Sequence, residues 1–286
     1  MVNDNPADNI FNNFYKIIFN GHPLGLSILG TKKSLKNLDS EEIRNYFNEN
    51  FNLSGIVLSA AGNINHDELV EKVMSNLDGN EQKLGNVKYF KDIKNFPYKV
   101  KSRVYKGKTE ASHICYGGLG CKRMSEDKYP LAIFTNILGG SMSSRLFQKI
   151  REEKGLSYNI FASNNQYTDT GIVVIYAATS PGNVNKIINL INLEIADIKK
   201  NGIKQEELEI AKENTKGNIV LDVEDISSRM FRLGKALLID GSVMTIDEIL
   251  GKIDAVKLED VNYVAEKYFQ TEKMSIVIID KNVNGR

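Results

Sequence analysis

Apolar positions in this chain follow two periods, and the switches between them mark its elements. Ile10, Phe14, Ile17 and Ile18 recur at helical spacing over residues 6–19, with Pro6 suited to a first helical turn. Asn20-Gly21 stops this helix, and His22-Pro23-Leu24-Gly25 reads as a loop. Ser40 before Glu41 and Glu42 reads as the cap of a second helix, with Ile43, Tyr46, Phe47 and Phe51 on one face. Residues 56–60 are a short buried strand, and His66 and Asp67 open a helix carrying Leu69, Val70, Val73 and Leu77. Over 78–94 the periodicity fades while Gly79, Asn80, Gly85 and Asn86 accumulate, the composition of a linker.

The remainder alternates again. Residues 100–105 and 112–116 read as strands, and 127–138 and 143–153 as helices separated by a flexible turn at Gly139-Gly140. Residues 158–166 and 171–178 form a predicted hairpin about Thr168-Asp169-Thr170. Helices follow at 184–200, 205–221 and 226–239, then a last helix at 257–269 and a last strand at 274–279. The stripe Ile187, Leu190, Ile191, Ile195 and Ile198 is a core face.

The chain carries an internal repeat. IFNNFYKIIFNG from Ile10 aligns with MFRLGKALLIDG from Met230, pairing Phe11 with Phe231, Ile17 with Leu237, Ile18 with Leu238 and Gly21 with Gly241. Downstream, Ile43 pairs with Val261, Tyr46 with Val264, Phe51 with Phe269, Ile56 with Met274 and Leu58 with Ile276. Both copies read helix, loop, helix, strand, the mark of duplicated domains. The expected fold is therefore α+β: two similar α/β domains with mainly antiparallel sheets and helices on one face, the first domain incomplete. The division is 1–86 for the second half of the first domain, 87–96 for a linker and 97–286 for the second domain. Extending the offset back from Val100 places roughly 120 residues of the first copy outside this sequence, a length in the usual domain range. Such a half-domain leaves a sheet edge and a helix face uncovered.

Composition narrows the function classes. Among 286 residues, 42% are hydrophobic and 26% charged, and 37 basic against 36 acidic residues leave a formal charge of +1. That balance argues against a dedicated nucleic-acid binder. No apolar run approaches the roughly 18 residues that span a bilayer, and MVNDNPADN lacks the basic and apolar regions of a signal peptide. A soluble, cytoplasmic protein with no membrane partner is expected. Cys115 and Cys121 form no C-x-x-C motif and read as small packing residues.

NDNPADNIFNNFYKIIFNGHPLGLSILGT, VLSAAGNINHDELV and GGSMSSRLFQKIREEKGLSYNIFASNNQYTDTG occur in this order. Together they resemble segments of the insulinase and mitochondrial processing peptidase family, and the resemblance covers essentially the whole chain. It implies two similar domains closing around an unfolded peptide. The family's first domain holds zinc through an inverted H-x-x-E-H motif, whose glutamate is the general base, and a further glutamate on a later helix. Its second domain supplies an arginine and, seven residues later, a tyrosine that contact the peptide. In this sequence those positions are Arg151 and Tyr158, in R-E-E-K-G-L-S-Y. H-x-x-E-H does not occur: the histidines are His22, His66 and His113, and none has the partners that a three-ligand catalytic zinc site requires.

By residue type, Arg151 and Tyr158 can both donate to a peptide carbonyl and, in a dry cleft, stabilise a developing oxyanion. The plainer alternative is a helix-end arginine favoured by the helix dipole and a strand tyrosine packed on a core. As a clamp, both would face the cleft between the domains. Alternation from Tyr158 would send Ile160 to its own face and Phe161 beneath the sheet, with the Phe147 ring inward. Gly139-Gly140-Ser141 lacks the G-K-[ST] of a phosphate loop, and Gly117–Gly120 reads as a strand end where backbones approach closely. His66 reads as a residue of a helix start and His22 as a loop side chain.

Three functions follow. The chain is the peptide-binding part of a metallopeptidase, inactive alone and without zinc of its own, needing a zinc-bearing partner or upstream residues. Or it is a noncatalytic scaffold that assembles, with itself or another chain, through the incomplete first domain. Or it is a truncated form of a complete enzyme.

Overall fold

The computed structural model describes residues 5–51, 55–77, 93 and 96–281. Nearly all of the expected linker, 87–96, lies outside them. The chain divides into two compact units. The first contains Met1–Ile28, Asp92–Lys216 and Ile249–Arg286, and the second contains Leu29–Lys91 and Gly217–Glu248.

The first unit is built on one five-stranded sheet in the order β1-β5-β2-β4-β3. Its strands are β1 Ser102–Lys106, β2 Ser112–Leu119, β3 Asn159–Gln166, β4 Gly171–Thr179 and β5 Ser275–Asp280. β1 and β5 run parallel and the other pairings are antiparallel. β4 lies inside the sheet between β2 and β3, and all nine of its residues are buried, so both sheet faces are covered there.

On one face lies helix α1, Pro6–Ile18. Asn5 caps it by accepting the Ala7 N–H, and Pro6 begins it. Ile10, Phe14, Ile17 and Ile18 pack against Cys115, Val174, Tyr176, Val277 and Ile279. Each of these four side chains contributes roughly 1.5–3 kcal/mol by burial. Phe11 extends the contact by stacking on Tyr176 with ring centroids 5.4 Å apart. The two free cysteines, Cys115 and Cys121, are both buried, and burial pushes the Cys121 thiol up to about 11.

The opposite face is covered by helices from the unit's own later segments. They are α5 Lys128–Thr135, α6 Val184–Asn201 and α10 Leu258–Tyr268. Asn164 of β3 donates to Thr135 Oγ1 (2.8 Å) and Tyr116 of β2 donates to Asn192 of α6 (3.0 Å). Phe134 of α5 meets Phe269, just beyond α10, edge to face at 4.8 Å. Four of the five stripe residues of α6 (Ile187, Ile191, Ile195 and Ile198) are buried.

The second unit contains α2 Lys32–Asn37, α3 Ser40–Asn50, α4 His66–Leu77 and α8 Ile226–Asp240. The sequence boundaries of this unit, at 216/217 and 248/249, fall within helices α7 Gln205–Glu224 and α9 Ile246–Asp254. Residues 56–60, expected as a short buried strand, belong to no strand among the described residues, and Ile56 and Leu58 are exposed. Their β-branched and apolar side chains favour a pleat, but a pleat needs a neighbouring backbone to bond. The cap of α3 is Asp39, whose carboxylate accepts the Glu42 N–H at 2.8 Å; Ser40 is the first helical residue.

Packing and repeat divide the chain differently. α1, from the first copy, packs on the second copy's sheet. α8, its counterpart, packs on residues 56–60 of the first: Ser59 donates to the Met230 carbonyl at 2.8 Å, and a Cβ on Gly234 would lie 2.9 Å from that of Ser59.

Candidate functional site

The segment with Arg151 and Tyr158 is wound more loosely than an α-helix. Of the two α-helices expected at 127–138 and 143–153, the first is formed over Lys128–Thr135; the turns Asn136–Gly140, kinked at Gly139 (φ −161°, ψ 18°), and Phe147–Glu152 are wound wider, as π-type turns. The first π segment is pinned against the sheet and is not a flexible turn. A Cβ on Gly139 would sit 2.5 Å from the Ala162 nitrogen and 2.9 Å from its Cβ, so only glycine lets this backbone rest on β3. After the second π segment, Gly155 takes φ +59° and donates its N–H to the Arg151 carbonyl (3.1 Å). The chain then turns towards β3, and the Tyr158 N–H reaches the Ala178 carbonyl (2.9 Å).

The two named side chains project from a buried frame. Ile150 and Ile160 are 0% and 3% exposed, whereas Tyr158 is 66% exposed and the Arg151 side chain 43%. The Arg151 guanidinium lies over the half-buried Phe147 ring, 4.7 Å from its centroid, a cation–π contact that orients it. Its 3.8 Å approach to Glu152 is a surface pair of little energetic weight. Tyr158 Oη is 2.8 Å from Ser180 Oγ. Phe161 lies on the α1 side, stacked with Phe11 at 6.3 Å, as alternation requires.

A buried ionic cluster fixes the start of this segment. Arg145 donates through Nε and Nη2 to both oxygens of Glu207 (2.6 and 2.7 Å). Its Nη1 reaches Glu194 of α6 and Asp197, each at 3.1 Å. Lys149 pairs with the second oxygen of Glu194, whose side chain is 2% exposed. Burial disfavours charge on Arg145, but the bonds and charges of Glu207 and Glu194 outweigh it and raise its pKa. At Glu207 burial acts upwards, and Arg145 with the Lys204 N–H outweighs it and holds the carboxyl low. No local pattern marks Arg145 for this role, because the acceptors lie 49 to 62 residues away.

Two of the three histidines are engaged in hydrogen bonds. His22 is buried at 6% exposure, with Nδ1 accepting the Leu24 N–H and Nε2 bonded to Asp169 (both 3.1 Å). This loop side chain ties the segment after α1 to the β3–β4 turn. His113 lies between Tyr176 Oη (2.8 Å) and Thr109 Oγ1 (3.3 Å). His66 begins α4. Among the described residues, no group of three or more His, Cys, Asp or Glu side chains is disposed to hold a metal ion. With the ring nitrogens of His22 and His113 engaged, the donor set here does not fit a catalytic zinc.

The first unit is a mixed sheet layered with helices, with a widely wound arm that leads through the Gly155 turn into its edge strand. The Peptidase M16 inactive domain model matches residues 37–215, and the chain belongs to that family. It is 34% identical to YmxG of Bacillus subtilis (strain 168), named an uncharacterized zinc protease, over 99% of this chain and 68% of that protein. It is 29% identical to an uncharacterized zinc protease of Streptomyces coelicolor over 93% of this chain and 59% of that protein. In fold it resembles a peptidase M16 inactive domain from Pseudomonas fluorescens, with a TM-score of 0.81 at 18% identity, over 99% of this chain and 68% of that one. The chain thus spans about three fifths to two thirds of its relatives. No helix among the described residues is long and apolar enough to cross a membrane.

Proposed function

We propose that this chain is the peptide-holding portion of an M16-type metalloendopeptidase, with Arg151 and Tyr158 as the clamp on an unfolded peptide. The observation that carries this reading is the exposure of both side chains on either side of the Gly155 turn, while Ile150 and Ile160 beside them are buried. A guanidinium held over Phe147 and a phenol beside Ser180 are donors prepared for peptide carbonyls. Zinc, the general base and bond cleavage belong in this reading to a polypeptide segment other than residues 1–286. The relatives named zinc proteases, longer than the matched region, support that division.

The test is equilibrium binding of a fluorescent unfolded peptide. Arg151→Ala and Tyr158→Phe should each lower affinity by roughly one to two decades, the loss of one charge-assisted or phenolic hydrogen bond. Thermal stability should stay nearly constant. Unchanged binding with lowered stability would make both residues structural and end the clamp reading.

A further inference from the structure

Charge is spread evenly along most of this sequence, but not around β1. Five of the ten residues from Lys99 to Lys108 are basic and none is acidic, in a chain whose formal charge is +1. Lys99, Arg103, Lys106 and Lys108 are exposed and Lys101 is half-buried, and no ion pair engages any of the five among the described residues. β1 lies at one margin of the sheet, with β5 on one side and, among the described residues, no strand on the other. Its register with β5 runs without a bulge, and four of its five residues are exposed. The Lys101 carbonyl accepts the Ile276 N–H (2.9 Å) and the Gly107 N–H reaches the Asp280 carbonyl (3.0 Å). Backbone groups alternate in direction along a strand, so Ser102, Val104 and Lys106 aim their N–H and C=O groups away from β5, at the open edge. The Ser102 carbonyl meets there only the guanidinium of its neighbour Arg103, at 3.4 Å. Tyr105 packs against the α1 cluster, so alternation sets Lys101 and Arg103 on that face of the sheet and Lys106 on the other.

We infer that the outer edge of β1 binds an extended acidic polypeptide segment, which joins the sheet as a further strand. The outward backbone groups supply the ladder. Carboxylates at alternate positions of the incoming strand come to lie opposite Lys101 and Arg103 on one face, or opposite Lys106 on the other, as attractive cross-strand pairs. Lysines on an edge strand ordinarily keep like edges apart. The same charges that turn away a second copy of this strand admit one of opposite sign, which is how one set of residues both excludes and selects. A nucleic acid fits this edge less well. Its phosphates would meet the outward carbonyls, the outward N–H and C=O groups would lack a ladder, and the basic side chains lie on both faces of the strand rather than on one surface. The site is separate from the clamp and does not rest on it. Tyr158 leads into β3 at the far margin of the sheet, roughly 19 Å away at about 4.8 Å per strand.

The test is fluorescence anisotropy of the full 286-residue chain with a labelled peptide that alternates glutamate and threonine. Beside it run the same peptide with proline in place of threonine, and an oligothymidylate. The glutamate–threonine peptide should bind, more weakly as salt rises, and should slow amide hydrogen exchange at Ser102, Val104 and Lys106. Val104→Pro keeps all five charges, is compatible with an edge strand, and removes one outward N–H. It should weaken binding roughly 10-fold, as for loss of one edge hydrogen bond. Arg103→Glu with Lys106→Glu, both at exposed sites, should weaken it at least about 10-fold by making cross-strand pairs repulsive, and leave the melting of the chain unchanged. Arg151→Ala should bind as the parent does. No binding of the glutamate–threonine peptide, or binding without protection at the three amides, overturns the inference. So does equal binding of the proline peptide or the oligothymidylate, or indifference to Val104→Pro. Loss of binding with Arg151→Ala puts the peptide at the clamp and overturns it as well.

Discussion

Replacing Arg145 by methionine removes the cation that three carboxylates share and keeps most of the side chain's volume. Glu194 keeps only Lys149 among its ionic partners, at 2% exposure, and Glu207 keeps the Lys204 N–H, at 25%. Asp197 is 43% exposed and bonded to Asn201, so water screens it and it adds little. The cost is therefore that of one broken buried network, about 3–5 kcal/mol. In a unit of this size 1 kcal/mol moves Tm by about 2–4 °C, so the fall should be roughly 6–20 °C. Urea denaturation of the first unit, followed by circular dichroism, reads the free energy directly. Adding Glu207→Met and Glu194→Gln should recover much of the loss, because the uncompensated charges then disappear. A single-variant loss below about 1 kcal/mol, or a triple variant less stable than the single, would refute the reasoning.

Further outcomes follow from the same structure. Gly139→Val should destabilise the first unit by about 1–3 kcal/mol, since its Cβ would strike the β3 backbone; a neutral effect in urea denaturation would contradict that packing. Burial pushes the carboxyls of Glu207, Asp169 and Asp127 up, but they are held low by Arg145, by the Ile93 N–H together with His22, and by Lys267 together with Tyr268, respectively. Their stabilisation is complete above the ordinary carboxylate value of about 4 and should fade as pH falls through the depressed values, which a pH series of urea midpoints checks. Burial raises Cys121 to about 11 and Tyr176 to about 12, so stability should also decline as pH rises above about 9, where the unfolded thiol ionises first. The same series would count against this if its alkaline limb were flat to pH 11.

The sheet, its hairpin and the main helices were legible because their apolar positions repeat at two or 3.6 residues, as in Gly171–Thr179 and Pro6–Ile18. α2 escaped because six residues with one apolar side chain carry no period. α9 was legible and missed: Ile246, Ile249, Leu250 and Ile253 are helically spaced, behind a Thr245–Glu248 capping pair. The wide, kinked turn at Asn136–Gly140 was not legible, because it goes with the close approach of Gly139 to β3 and not with local propensity. The repeat in sequence showed two equivalent segments, but not that α1 packs on the sheet of the other copy, since either sheet offers the same apolar pattern. For the candidate site, the resemblance over residues 139–171 singled out Arg151 and Tyr158 as candidates. The Phe147 ring beneath the guanidinium and the Arg145 cluster holding the arm depend on tertiary contacts that no spacing reveals.

The division of labour between this chain and a zinc-bearing segment is tested most directly by cleavage of an unfolded peptide. Four samples suffice: the chain alone, the uncovered segment of the Bacillus subtilis relative alone, the two together, and the two together with Arg151→Ala in the chain. Cleavage should occur only when both are present, stop on chelation, and fall roughly 10- to 100-fold in kcat/KM with Arg151→Ala. Chelator-sensitive cleavage by the purified chain alone, or full activity of the pair with Arg151→Ala, would contradict it.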